Sequence, residues 1–224
     1  MSFLIYFALI LIIPIWAQSK VKSTYKKYSK VPTSSAMSGA EVARKILDDN
    51  GLYNVAVEEV RGQLTDHYDP RSKVIRLSTD NFHGRSAAGA AVAAHEVGHA
   101  IQDAQDYAFL RFRSALVPVA SFGSNISIFL IIGGFLLGMM QLAVVGIIFF
   151  AAAVLFQLVT LPVEFDASNR AMSQLVSTGI IRNDEERKTK KVLNAAAMTY
   201  VAAALVALAE LLRFVFMFVG MNEE

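Results

Sequence analysis

Residues 114–163 read SALVPVASFGSNISIFLIIGGFLLGMMQLAVVGIIFFAAAVLFQLVTLPV, fifty positions without one charged side chain. A helix spans the hydrocarbon layer in about 20 residues, so this stretch is too long for one crossing and right for two. The glycines at Gly133-Gly134 and the Gly138-Met139-Met140-Gln141 run mark the turning region, which predicts a transmembrane hairpin of Ala115–Leu137 and Leu142–Leu161. Residues 2–17 are also apolar, broken only by Pro14, and are followed by Lys20, Lys22, Lys26, Lys27 and Lys30 before the first acidic residue, Glu41. A cleaved leader carries its charge before the apolar run, so this pattern predicts an uncleaved anchor, short for a span, with its N-terminus outside. A last apolar run, 192–209, continues past Glu210 and Arg213 to Gly220; Arg187, Lys188, Lys190 and Lys191 precede it, and Asn222-Glu223-Glu224 closes the chain.

The basic flanks agree on one orientation. The expectation is a mostly α membrane protein with about four transmembrane helices and a small cytoplasmic α/β domain, zincin-like in carrying the helical motif His95-Glu96-Val97-Gly98-His99. Its segments are a 2–17 anchor, an 18–113 cytoplasmic domain, a 114–161 hairpin, a 162–191 cytoplasmic segment and a 192–220 span. Charged residues make up only 18% of the chain against roughly 25% in soluble domains, and the deficit is concentrated in those spans. There is no cysteine, so a transition metal must be held by histidine and carboxylate. A net charge of +2, without a basic stripe interleaved with aromatics, excludes nucleic acid as the expected partner.

Outside the spans, Ser38-Gly39-Ala40-Glu41 reads as a capping box opening a helix that stops near Gly51. Val55-Ala56-Val57 and 73–78 read as strands, with Asp69-Pro70-Arg71-Ser72 as turn chemistry between extended segments. Residues 20–35 read as a basic linker, and Ser86 as the N-cap of a helix from Ala87 to about Tyr107.

That helix carries His95-Glu96-Val97-Gly98-His99. Residues four apart project from one helical face, so both imidazoles can share one zinc ion with Glu96 beside the open position. There Glu96 can take a proton from a metal-bound water and return it to a leaving amine. Gly98 is unfavourable inside a helix unless something approaches closely. A third protein ligand is usual. Glu164 is the first candidate, because the returning hairpin places it on the same membrane side, and Asp166 is its competitor. Asp103, Asp166 and Asn169 are candidates to orient ligands. His67, Tyr68, His83 and Arg170 are candidates to stabilise the oxyanion. Strand 73–78 could pair with a substrate peptide as an edge strand or lie in the core. Glu210 and Arg213, three residues apart in an apolar run, read as an ion pair near the outer interface.

Three stretches, 62–70 (GQLTDHYDP), 93–102 (AAHEVGHAIQ) and 161–168 (LPVEFDAS), resemble the YugP-type neutral zinc metallopeptidases of bacteria. The likeness runs from the first span to the last. It implies a peptidase of the bacterial plasma membrane, with His95 and His99 holding one zinc per chain and Glu96 as catalytic base. A looser resemblance joins the HtpX-type and CAAX prenyl proteases, which share the motif helix, a distant glutamate ligand and membrane hairpins. Those show Glu-x-x-Ala-Asp around the third ligand; here Ser168 stands where that Asp would be, and Asp166 precedes the Ala.

The expected function is a zinc metalloendopeptidase with its site on the cytoplasmic face, acting on a peptide or membrane-protein substrate in the lipid bilayer. A regulatory membrane partner is left open. Two other readings are an intramembrane, site-2-type protease, in which the alanine-rich motif helix itself spans, and a scaffold that keeps a structural metal.

Overall fold

The computed structural model describes residues 2–182 and 184–222; the acidic Glu223-Glu224 end falls outside them. The elements in order are α1 (Ser2–Tyr28), α2 (Gly39–Asp49), β1 (Ala56–Val60), β2 (His67–Asp69), β3 (Val74–Ser78), α3 (Thr79–His83), α4 (Ala87–Ala104), α5 (Ala108–Leu136), α6 (Met140–Ser177) and α7 (Asp184–Asn222). Among the described residues, four helices are long and apolar enough to cross a membrane: α1, α5, α6 and α7. Phe129, Leu136 and Phe216 on them are 74%, 81% and 71% exposed. Apolar surface on that scale suits lipid rather than water.

All four helices outrun their apolar stretches. α1 continues through Tyr28, so residues 20–28 of the expected basic linker are helical; lysine is a good helix former, and Lys26 and Lys27 complement the dipole of the last turn. α5 begins at Ala108 and α7 at Asp184, the latter with Asp184, Glu185 and Glu186 in its first turn. α6 passes Pro162 unbroken, where the sequence suggested that a new segment begins. Between α5 and α6 the chain turns at Gly138, whose φ of +67° is the left-handed conformation glycine tolerates. Met139 N–H donates to Gly134 O and Gly138 N–H to Phe135 O, the paired bonds of a Schellman ending. α5 therefore ends at Leu136, and Gly134 lies in its last turn. A Cβ there would meet Ala143 N at 2.5 Å, so it also permits close packing.

The chain forms two compact units. One gathers residues up to 14, 108–162 and those from 200 onward; the other gathers 15–107 and 163–199. The second has its own apolar core, in which Val42, Ile46 and Leu47 of α2 and Ile75 and Leu77 of β3 surround the alanines of α4. The capping box forms as read: Ser38 Oγ accepts from Glu41 N–H, and Glu41 accepts from Ser38 N–H. The sheet order is β1-β3-β2, with β1 parallel and β2 antiparallel to β3. β3 is thus central. The idea that 73–78 is a free edge for a peptide is corrected, because its hydrogen-bonding groups are taken on both sides.

Asp66 staples this unit. Its Oδ1 accepts from Ser78 N–H at 2.7 Å and its Oδ2 from Asn81 Nδ2 at 2.9 Å, while Tyr25 of α1 donates to Asn81 Oδ1 at 2.8 Å. Each of these four residues thus has a hydrogen-bond partner, as burial requires; among the described residues, buried Thr189 Oγ1 has none.

Candidate metal centre

Ser86 starts α4 by accepting from Gly89 N–H at 3.1 Å. One turn separates His95 from His99, whose rings meet edge to face with centroids 4.8 Å apart. Glu164 of α6 is 2% exposed and faces them. Its Oε2 lies 3.2 Å from His95 Nε2 and 3.6 Å from His99 Nε2. One ligand atom from each of these three residues lies within 4.8 Å of the others. Glu96 is 8% exposed and makes no side-chain hydrogen bond among the described residues.

Gly98 explains how α6 comes so close. A Cβ at this position would lie 2.6 Å from Ala167 O and 3.1 Å from Ala167 Cα. The obstruction is backbone, which cannot swing aside. Alanine should improve the helix by about 1 kcal/mol on propensity alone. Gly98→Ala is instead expected to destabilise the protein and to weaken zinc binding by at least about tenfold, since Ala167 lies between Glu164 and Ser168. Thermal unfolding and zinc titration check this; a variant more stable than wild type with unchanged zinc affinity would refute it.

The outward nitrogens of both rings are engaged. Gln102 is fully buried, and its Nε2 donates to Val163 O at 2.8 Å and to Asp166 Oδ2 at 2.8 Å. With both amide hydrogens committed to acceptors, the Oε1 that lies 3.0 Å from His99 Nδ1 must accept, so Nδ1 carries a proton. Nε2 of His99 is then the nitrogen that can ligate a metal. Ser168 Oγ lies 3.2 Å from His95 Nδ1 and serves the other ring. Burial, the largest single influence on His99, pushes its pKa down, but hydrogen bonding and attraction from Glu164, aided by Glu96, outweigh it and raise the pKa above the ordinary value. A proton is thus favoured where two imidazoles face one carboxylate. A divalent cation would be favoured there for the same electrostatic reason, and the two nitrogens with one oxygen are a donor set that suits zinc.

The remaining candidates divide by position. Asp166, the competing candidate for third ligand, is not in the group that could hold a metal ion; its Oδ2 accepts from Gln102 and from Arg170 Nε at 2.5 Å. Arg170 also donates to Gln105 Oε1 at 2.6 Å and lies over the Tyr107 ring. Four residues therefore form a chain, Arg170–Asp166–Gln102–His99. Asp103 is buried and accepts from Tyr68 Oη at 2.7 Å and from Lys73 Nζ. Asn169 is exposed on α6. His67 is exposed and bonded to Thr65 O, and His83 pairs with Glu59 at the surface. The structure brings neither of them into the group. Gln102 and Ser168 were not singled out as orienting residues, although helical spacing could have found them: Gln102 follows His99 by three and Ser168 follows Glu164 by four.

Comparison with known proteins agrees with this picture. Residues 3–219 match the family model described as "Putative neutral zinc metallopeptidase". The chain is 57% identical over 209 residues to a protein of Bacillus subtilis (strain 168) named "Putative membrane protease YugP", covering 93% of each chain. No solved structure matches.

Proposed function

The chain belongs to the neutral zinc metallopeptidase family, and on that premise we propose that it is a membrane-embedded metalloendopeptidase with Glu96 as general base. The observation that carries the reading is the convergence of His95, His99 and Glu164 in one group, with Glu96 adjacent in sequence to His95 and hydrogen-bonded to no other side chain among the described residues. His95 Nε2, His99 Nε2 and Glu164 would hold one zinc. Bound zinc supplies Lewis acidity, polarising a peptide carbonyl and lowering the pKa of water towards neutrality. Glu96 accepts the proton of the attacking water and passes it to the departing amine. Gln102 and Ser168 hold the two imidazoles in orientation. β2, the outer strand antiparallel to β3, can pair with an extended substrate, the role that 73–78 cannot fill. Lysine and arginine beside the spans support a plasma-membrane protein with its N-terminus outside and its site on the cytoplasmic face. α4 is not among the four helices apolar enough to span, which supports a surface site over the intramembrane reading.

The test is zinc content and cleavage of an unstructured reporter in detergent and in liposomes. One zinc per chain is expected, with cleavage abolished by chelation and restored by zinc. Because the folded pKa of His99 lies above its unfolded value, its proton stabilises the chelated protein most below about pH 6.5. That contribution is lost as pH rises through the folded value, while zinc needs the neutral ring. The rise in melting temperature on adding zinc should therefore be larger at pH 8 than at pH 6. Cleavage that survives full chelation would sink the proposal.

A further inference from the structure

A cavity of about 530 Å³ beside the end of α1 has no part in the chemistry above. One wall is formed by Lys22, Tyr25, Lys26 and Ser29, which share a helical face by their spacing of three and four. Asp80 and Ser86 also line it. Its volume falls within the roughly 300–1,000 Å³ usual for small-ligand sites. Tyr25 is buried and anchored through its hydroxyl to Asn81, so this wall is held in place. Neither Lys22 nor Lys26 is ion-paired among the described residues, although Asp80 lines the same space. Two cations without carboxylate partners facing a cavity call for an anion.

The sequence of α1 says where that anion comes from. Its apolar run, 2–17, rises only about 24 Å at 1.5 Å per residue, against about 30 Å of hydrocarbon. A span that falls short draws its flanking residues towards the headgroups, where lysines extend into the polar layer. Lys22 follows Ala17 by about 7.5 Å along the same unbroken helix, a distance that a short span would bring to headgroup depth. We propose that this cavity binds the phosphate of an anionic phospholipid headgroup, with Lys22 and Lys26 as its cationic contacts and the hydroxyl of Ser86, which accepts from Gly89 N–H and keeps its own hydrogen, as a donor. The site is independent of the zinc chemistry.

The test uses the full chain purified in mild detergent, with retained phosphatidylglycerol measured by native mass spectrometry. The double variant Lys22→Gln/Lys26→Gln is compared with Lys27→Gln/Lys30→Gln, which removes the same charge from the same stretch but lies outside the cavity lining. The first pair is expected to lower phosphatidylglycerol retention by at least about tenfold, and the second to stay close to wild type. Phosphatidylcholine, whose phosphate is neutralised by its own ammonium, should be held more weakly. Equal loss from both pairs would mean diffuse attraction to a basic segment and would overturn the site, as would no loss from either. Displacement of the lipid by millimolar inorganic phosphate would assign the cavity to a free anion instead.

Discussion

Glu96→Gln is expected to keep one zinc per chain and to lose proteolysis by a factor of roughly 10²–10⁴, the range general acid–base groups supply. Glutamine preserves the shape of a side chain that is only 8% exposed, so the fold and the three candidate ligands should be undisturbed. What it removes is a carboxylate that accepts no side-chain hydrogen bond among the described residues. A neutral amide cannot take a proton from water or carry it to an amine. Initial rates on an unstructured reporter, taken beside zinc content, read the two effects separately. A variant that binds zinc, cleaves like wild type and complements a deletion strain would end the catalytic reading and favour a scaffold with a structural metal.

Glu164→Ala should have the opposite signature, losing the zinc and the activity together. Outer partners of metal ligands typically cost 10–100-fold in affinity, and removal of a direct ligand should exceed that. Asp166→Ala is the internal comparison. Asp166 accepts from Gln102 and Arg170, so its loss loosens the support of His99 and should remain within the outer-partner range. Isothermal titration with zinc distinguishes the two, and thermal unfolding in chelator checks that both variants fold. If Asp166→Ala lost zinc outright while Glu164→Ala retained it, the third ligand would be the aspartate.

Much of this was legible in the chain. The uncharged 114–163 stretch and the motif at 95–99 announce two long apolar helices and a candidate metal site, because lipid exclusion of charge and the 3.6-residue turn are both written one residue at a time. The capping box at Ser38 is equally local. The ends of α1, α5, α6 and α7 were not legible, because hydropathy marks only the part of a helix in lipid, while the polar extensions are held by charge pairs and by packing. β2 is three residues long and exists through its pairing with β3, which no window over His67-Tyr68-Asp69 reveals. The same limit hid the central place of β3: a strand of Val74, Ile75 and Leu77 reads alike at an edge or in the middle. The metal group itself joins α4 to a residue 69 positions from His95. Its nearness depends on the missing side chain of Gly98, whose cost in a helix was visible but whose neighbour was not.

Both histidines lean on neutral groups, an amide on one side and a hydroxyl on the other. A carboxylate in either place would push electron density through the ring and dull the pull of the ion it held. Here Asp166 is kept one amide away, with its charge shared by Arg170. A dication bound beside Glu164 and Glu96 would thus retain more of its electron-withdrawing strength, at the expense of a looser grip. Neutral supports of this kind would leave a bound ion strongly polarising and more readily exchanged.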